Sequence, residues 1–225
     1  MSKSSFDYEL YAGAGSMLGS LIYNYPNDVE YINQLKADEF AQAWPRFDNS
    51  TLEETSISKL DRYIISWQET DAELTKLQLD FGQLFIGPNS LKAVPWGSFY
   101  LSITRLLNDK STLELSKFYD SVGIKLECRA NEPIDHFAFF MQTLGHMLNN
   151  LHDDMNYLQN VRHIDILLKE HLLPWSEQFL NNLLAAASTD FYQAIAGLSK
   201  VYLDNLTIMI ERIMMANNLK NIRSI

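Results

Sequence analysis

The chain is short of several things. It has one cysteine, Cys128, among 225 residues, so it can form neither an intrachain disulfide nor a thiolate metal cluster of its own. A lone thiol with no local base reads as an ordinary structural side chain, and cysteine this sparse fits a reducing compartment. Glycine is scarce at 9 residues. Hairpin-forming Asn-Gly or Asp-Gly pairs between alternating apolar runs are missing, which argues against a sheet. The 6 prolines all fall at or beside the ends of expected helices. Basic residues number 18 against 28 acidic ones, a formal net charge of -10. Such a surface repels nucleic acid and anionic lipid and favours a cationic partner. No stretch reaches the ~18 uncharged apolar residues of a membrane span. Asp7 and Glu9 stand where a signal peptide would be apolar, so the expectation is a soluble, cytoplasmic protein without stable membrane insertion.

What is present is helical periodicity. Leu10, Ala14, Met17 and Leu21 fall on one helix face. Short helices are expected near 28–36 and 38–44, then one long helix or two abutting ones over 57–86. A helix from Gly97 to about Leu107 follows a Pro-Trp turn. Ser111-Thr-Leu-Glu114 has the form of a capping box opening a helix to Ser121, with Gly123 as its C-terminal cap. Residues 122–128 alternate enough for a short strand, but no partner strand is in evidence. Ile134, Phe137, Met141, Leu144, Leu148 and Leu151 step by 3 and 4. A helix over 155–172 follows, Pro174-Trp175 opens the next, and the last runs from Thr189 to about Ala216. The expected architecture is all-α: one helical bundle of about ten helices. An N-terminal half, 1–123, and a C-terminal half, 134–225, are joined by a connector at 124–133 and share a core.

Signatures of catalysis are absent. No Gly-rich stretch with a Lys-Ser/Thr ending precedes a helix, and Gly13-Ala14-Gly15 reads as close helix packing. The five histidines form no His-x-x-x-His pair on a helix face, and His152-Asp153-Asp154 reads as a solvated helix end. Gly-x-Ser-x-Gly is missing.

The richest stretch is Phe81–Tyr100. An apolar run stops at Gly87-Pro88 and restarts at Pro95-Trp96-Gly97-Ser98. A large aromatic at such a break reads either as an exposed anchor or as a buried core ring. Three segments together resemble the TorD/DmsD family of redox-enzyme maturation chaperones. They are Leu84-Phe-Ile-Gly-Pro with Pro95-Trp-Gly-Ser-Phe-Tyr100, Glu132-Pro-Ile-Asp-His136, and His171-Leu-Leu-Pro-Trp175 followed by Phe179.

The resemblance implies an all-helical, cytoplasmic, non-catalytic protein. Such a protein binds the twin-arginine leader and the apo form of a molybdopterin reductase of the DMSO/TMAO type, aids cofactor insertion and delays export. It also implies a monomer or a dimer that exchanges halves across the connector. Guanine nucleotide is discussed for parts of the family, and no phosphate loop supports it in this sequence; no other cofactor is expected. Carried onto this chain, the leader-binding region takes in Pro95, Trp96, Ser98, Phe99, Tyr100, Glu132, Pro133, Asp135 and His136. The chemistry agrees: guanidinium groups call for carboxylates, and an apolar helix-prone stretch calls for an aromatic-walled groove. Asp135 also reads as a first-turn residue favoured by the helix dipole, and Glu132 as an N-terminal flank. His136 reads either as orienting Asp135 or as packing at a helix start, and Trp175 reads as core. A rival of another class is a helical hydrolase or nucleotide-binding enzyme with its site around Asp135 and His136. A bare scaffolding domain is a third.

Overall fold

The computed structural model describes residues 7–87, 90–126, 132–151 and 156–223, with side chains to 217. Among them are eleven α-helices, two π-helical segments and no strand. The all-α architecture expected from periodicity is the one found. The helices are α1 (Tyr8–Tyr23), α2 (Glu30–Ala37), α3 (Phe40–Ala43), α4 (Thr51–Ser66), α5 (Asp71–Phe81), α6 (Gly97–Leu101), α7 (Lys110–Ser121), α8 (Phe137–Asn149), α9 (Tyr157–Ile166), α10 (Leu173–Ala186) and α11 (Asp190–Arg223).

The most apolar helices lie innermost. In α8 ten residues from Phe137 to Leu148 are buried, and α1 lies along it, with α11 against α1, α4, α9 and α10. One continuous apolar cluster runs from Ala12 to Ile213 and takes residues from both sides of the connector. Trp44, Trp67 and Trp175 are all buried in it.

Several boundaries differ from the sequence reading. The stretch 57–86 is not one helix. α4 starts earlier, at Thr51 behind the Ser50 cap, which accepts the Glu53 N–H at 3.2 Å. It ends before buried Trp67, and α5 begins afresh behind Thr70. Glu53, fully buried, takes the N–H groups of Phe47 and Asn49 at 2.7 Å each and so fixes the loop before α4. The helix expected over 97–107 stops at Leu101, because Ser102 turns extended and Arg105 and Asn108 adopt left-handed conformations (φ 55° and 58°). α7 opens at Lys110 with Asp109 as its cap, not at Ser111. A carboxylate with extended backbone is the stronger acceptor for the first turn. Gly123, at φ 74°, ends α7 as its position predicted.

Pro174 stands in the first turn of α10, as expected, with no loop before it. Helix α9 passes into a π segment, Leu167–Leu172, and directly on into α10. The widened turn gives room to the Pro174 ring, which has no N–H to donate back into the helix. The possible strand over 122–128 is turn and loop through 126. Residues 127 and 128, with Cys128, and the His152–Asp154 cluster lie outside the described residues.

Candidate functional site

Two segments far apart in sequence meet at one junction. Trp96 and His136 form an isolated antiparallel bridge, with Gly97 N–H donating to Asp135 O at 3.0 Å and Phe137 N–H to Pro95 O at 2.8 Å. These residues are also the starts of α6 and α8, where backbone N–H groups have no intrahelical acceptor. The side chains complete the capping. Ser98 N–H donates to Asp135 Oδ2 at 2.6 Å. Ala138 N–H donates to His136 Nδ1 at 3.1 Å. Pro-Trp-Gly-Ser and Pro-Ile-Asp-His are thus two sides of one structural unit in which each segment satisfies the other's helix.

Along the extended stretch into α8 the side chains alternate, and the junction has two faces. On the first face the His136 ring meets Trp96 edge-on at 5.3 Å, Tyr23 at 5.4 Å and Phe139 at 5.5 Å. Tyr23 Oη donates to Glu132 Oε2 at 2.7 Å. Trp96 is half-buried, between the exposed anchor and the buried core ring that its sequence allowed. Pro133 is buried and Glu132 half-buried. His136 is 4% exposed, and burial lowers its pKa to about 3, so the ring is neutral and holds its proton on Nε2, since Nδ1 accepts. It caps its own helix and does not orient Asp135.

On the second face Asp135 opens into a cavity of about 90 Å³ between α6, α7, the π segment and α10. Asp135 is 3% exposed and Ser98 0%. Asp135 Oδ1 and Ser98 Oγ have no hydrogen-bond partner among the described residues. The floor is Trp175, whose indole N–H goes to His171 O at 2.8 Å, and Phe140; Glu114, Glu170 and His171 stand on the walls. Burial holds the His171 imidazole below its usual value against the opposing pull of Glu170 and Glu114. The cavity is therefore lined by carboxylates with a neutral imidazole beside them.

The aromatic wall expected from Trp96, Phe99 and Tyr100 is not a single wall. Trp96 is the cap of α6 with extended backbone, so its ring leaves the helix face that carries the other two. Tyr100 stacks on Trp175 at 5.8 Å and 17°. Phe99 lies under the Arg105 guanidinium at 5.4 Å. Both line a different cavity, of about 360 Å³, which carries Lys92 and Arg105 and no carboxylate.

The sequence reading missed Tyr23, Glu114 and Glu170. Tyr23 gave no signal beyond a helix end. Glu114 was assigned to a capping box, and Glu170 was not singled out. A hydrolytic reading around Asp135 and His136 fails on the geometry, since Asp135 Oδ2 and His136 Nδ1 are both spent on helix N-termini.

Residues 37–181 match the family described as nitrate reductase delta subunit. The chain is 30% identical over 198 residues to the Tat proofreading chaperone DmsD of Salmonella typhimurium, covering 86% of this chain and 87% of that one. The chain belongs to the TorD/DmsD family of maturation chaperones. It is 29% identical over 189 residues to the probable Tat proofreading chaperone DmsD of Haemophilus influenzae, covering 82% and 84% of the two chains. To the chaperone protein TorD of Vibrio parahaemolyticus it is 27% identical over 154 residues, covering 67% and 71%. The TorD/DmsD family is one of chaperones and not of enzymes. Among the described residues no helix is long and apolar enough to cross a membrane, and no group of three or more His, Cys, Asp or Glu side chains is placed to hold a metal ion.

Proposed function

We propose that this chaperone binds the twin-arginine leader of a molybdopterin reductase precursor, holds the apo-enzyme in the cytoplasm while its cofactor is inserted, and delays export. The observation that carries this reading is the junction of Trp96 and His136, which sets Glu132 and Asp135 on either side of one short bridge. Two adjacent arginines in an extended leader point to opposite sides of the peptide. Carboxylates flanking a ridge suit that pair, because guanidinium binds carboxylate through two parallel hydrogen bonds. The half-buried indole of Trp96 supplies an apolar and cation-receptive surface between them. An overall charge of -10 steers a cationic leader toward the protein. The names of the relatives, Tat proofreading chaperone and chaperone protein TorD, point to the same class of client.

Calorimetric titration with a synthetic leader containing Arg-Arg and its apolar continuation tests the proposal. Micromolar binding, ~8 kcal/mol, is expected for the wild type, with a loss of tenfold or more in Trp96→Ala. A leader whose arginine pair is replaced by glutamines serves as control. Equal binding of both peptides, or none of either, would overturn the assignment.

A further inference from the structure

The leader-binding reading leaves unused the most conspicuous apolar surface near the junction. Between α6 and α7 the chain exposes Leu101 (42%), Ile103 (103%), Leu106 (64%) and Leu107 (42%), and α7 adds Leu113 at 62%. Single exposed apolar residues need no explanation, but five within thirteen positions make a patch. The segment is built to hold this form: Ser102 N–H closes on Ser98 O at 2.9 Å, Thr104 N–H on Ser102 Oγ at 3.2 Å, and Arg105 and Asn108 take left-handed backbone.

Both ends of this segment also wall the carboxylate cavity. Leu101 stands at one side, and Ser111, Glu114 and Leu115 at the other. Within the cavity, the unpartnered Asp135 Oδ1 accepts only, so a ligand must bring a donor. Three carboxylates, with His171 kept neutral, favour a positive one. Trp175 and Phe140 line the cavity beside the carboxylates, and an aromatic lining favours a weakly hydrated guanidinium over a compact, strongly hydrated ammonium. At the mouth Glu114 pairs with the exposed Lys110 Nζ, at 3.5 Å.

Resting on the leader-binding reading, we propose that this cavity seats one guanidinium of the leader, guided by Glu114 and Glu170. The exposed Leu101–Leu113 rim takes the apolar residues that follow it. Charge complementarity and the shared wall decide the occupant: a cation and an apolar run must arrive on one chain, a few residues apart. Neither glutamate nor any residue of the rim belongs to the junction itself.

The test titrates the same synthetic leader into wild type, Glu114→Gln/Glu170→Gln and Ile103→Ser/Leu106→Ser. All four positions lie at the surface, and circular dichroism checks that both variants remain folded. Each pair is expected to weaken binding at least tenfold, and the glutamine pair to flatten its salt dependence. A leader with Lys-Lys for Arg-Arg is expected to bind more weakly to wild type and to lose little more in the glutamine pair. Undiminished affinity in either double variant, with wild type still binding, overturns this seat and leaves the leader-binding reading standing. No binding by wild type overturns that reading itself. A change in sedimentation of Ile103→Ser/Leu106→Ser with unchanged affinity would make the rim a contact between copies of the chain and overturn the inference.

Discussion

Asp135 reaches across 37 residues of sequence to accept the Ser98 N–H at 2.6 Å, while its other carboxylate oxygen faces a cavity with no partner among the described residues. One side chain thus holds a structural bond and a surplus acceptor, and the two can be separated. Asp135→Ala removes both and leaves the Ser98 N–H buried without a partner, at a cost of about 1–3 kcal/mol. Asp135→Asn keeps an acceptor for Ser98 and removes the charge. Thermal unfolding should show Asn near the wild-type midpoint and Ala several degrees lower, while titration with the leader should find both weakened. Equal midpoints for Ala and wild type would deny the capping bond its structural weight.

His136 makes stability depend on pH. Its folded pKa of about 3 lies below the ordinary 6.5 because burial disfavours the imidazolium. The unfolded chain therefore takes up a proton first. Stability is complete above about pH 6.5 and falls as the pH drops toward 3, by ~1.4 kcal/mol per unit once the unfolded histidine is protonated. At pH 5 the penalty is about 2 kcal/mol. Asparagine in place of histidine supplies a capping oxygen for Ala138 N–H without a titrating ring. Urea melts at pH 7 and pH 5 should show a smaller loss for His136→Asn than for wild type. His171, lowered in the same direction, accounts for part of what remains.

Gly97 is required for a close approach. A Cβ built there would stand 2.6 Å from Trp175 Nε1 and 2.7 Å from Cε2. Trp175 is 1% exposed and packed between Tyr100, Phe137, Phe140 and Phe179, so it has nowhere to retreat. Gly97→Ala should cost about 1–3 kcal/mol and reduce leader affinity by shifting the cavity floor. An unchanged midpoint with an unchanged Trp fluorescence spectrum would contradict this.

Asp80 holds the entry to the last helix. Its carboxylate, 2% exposed, accepts from Ser188 N–H at 2.9 Å and from Thr189 N–H and Oγ1 at 2.8 and 2.6 Å. Asp80→Ala strands two backbone donors and should destabilise by about 3 kcal/mol, the most of the variants named. Leader binding, measured well below the midpoint, should be unaffected, since the site is built from other elements.

These residues show where the chain could be read and where it could not. The apolar steps from Ile134 to Leu151 carried α8, and the long run after Thr189 carried α11, because helical burial repeats locally and needs no partner to be seen. Asp80 carried no signal. Within Leu-Asp-Phe it looks like a polar position on a helix, and its worth lies in Ser188 and Thr189, more than a hundred residues on. The junction was half legible: its segments were singled out, but not that they cap each other, and Trp96 was left open between an exposed and a buried ring. Glu114 was hidden because the capping box gave it an adequate local explanation, and Glu170 because one acidic residue on an expected helix carries no signal. The stop after Leu101 was missed because it depends on left-handed backbone at two non-glycine residues, which composition does not announce.

The π segment Leu167–Leu172 amounts to a helix with one residue too many. Excising a single residue there would rebuild an uninterrupted spiral and leave everything beyond it facing as before, because the widened turn absorbs the extra residue. Trp175 and Phe179 would stay on the apolar interior, so this part of the chain tolerates the loss of one residue where the regular helices on either side do not. Single-residue alignment gaps among relatives should accordingly gather at these six positions and avoid the helices on either side.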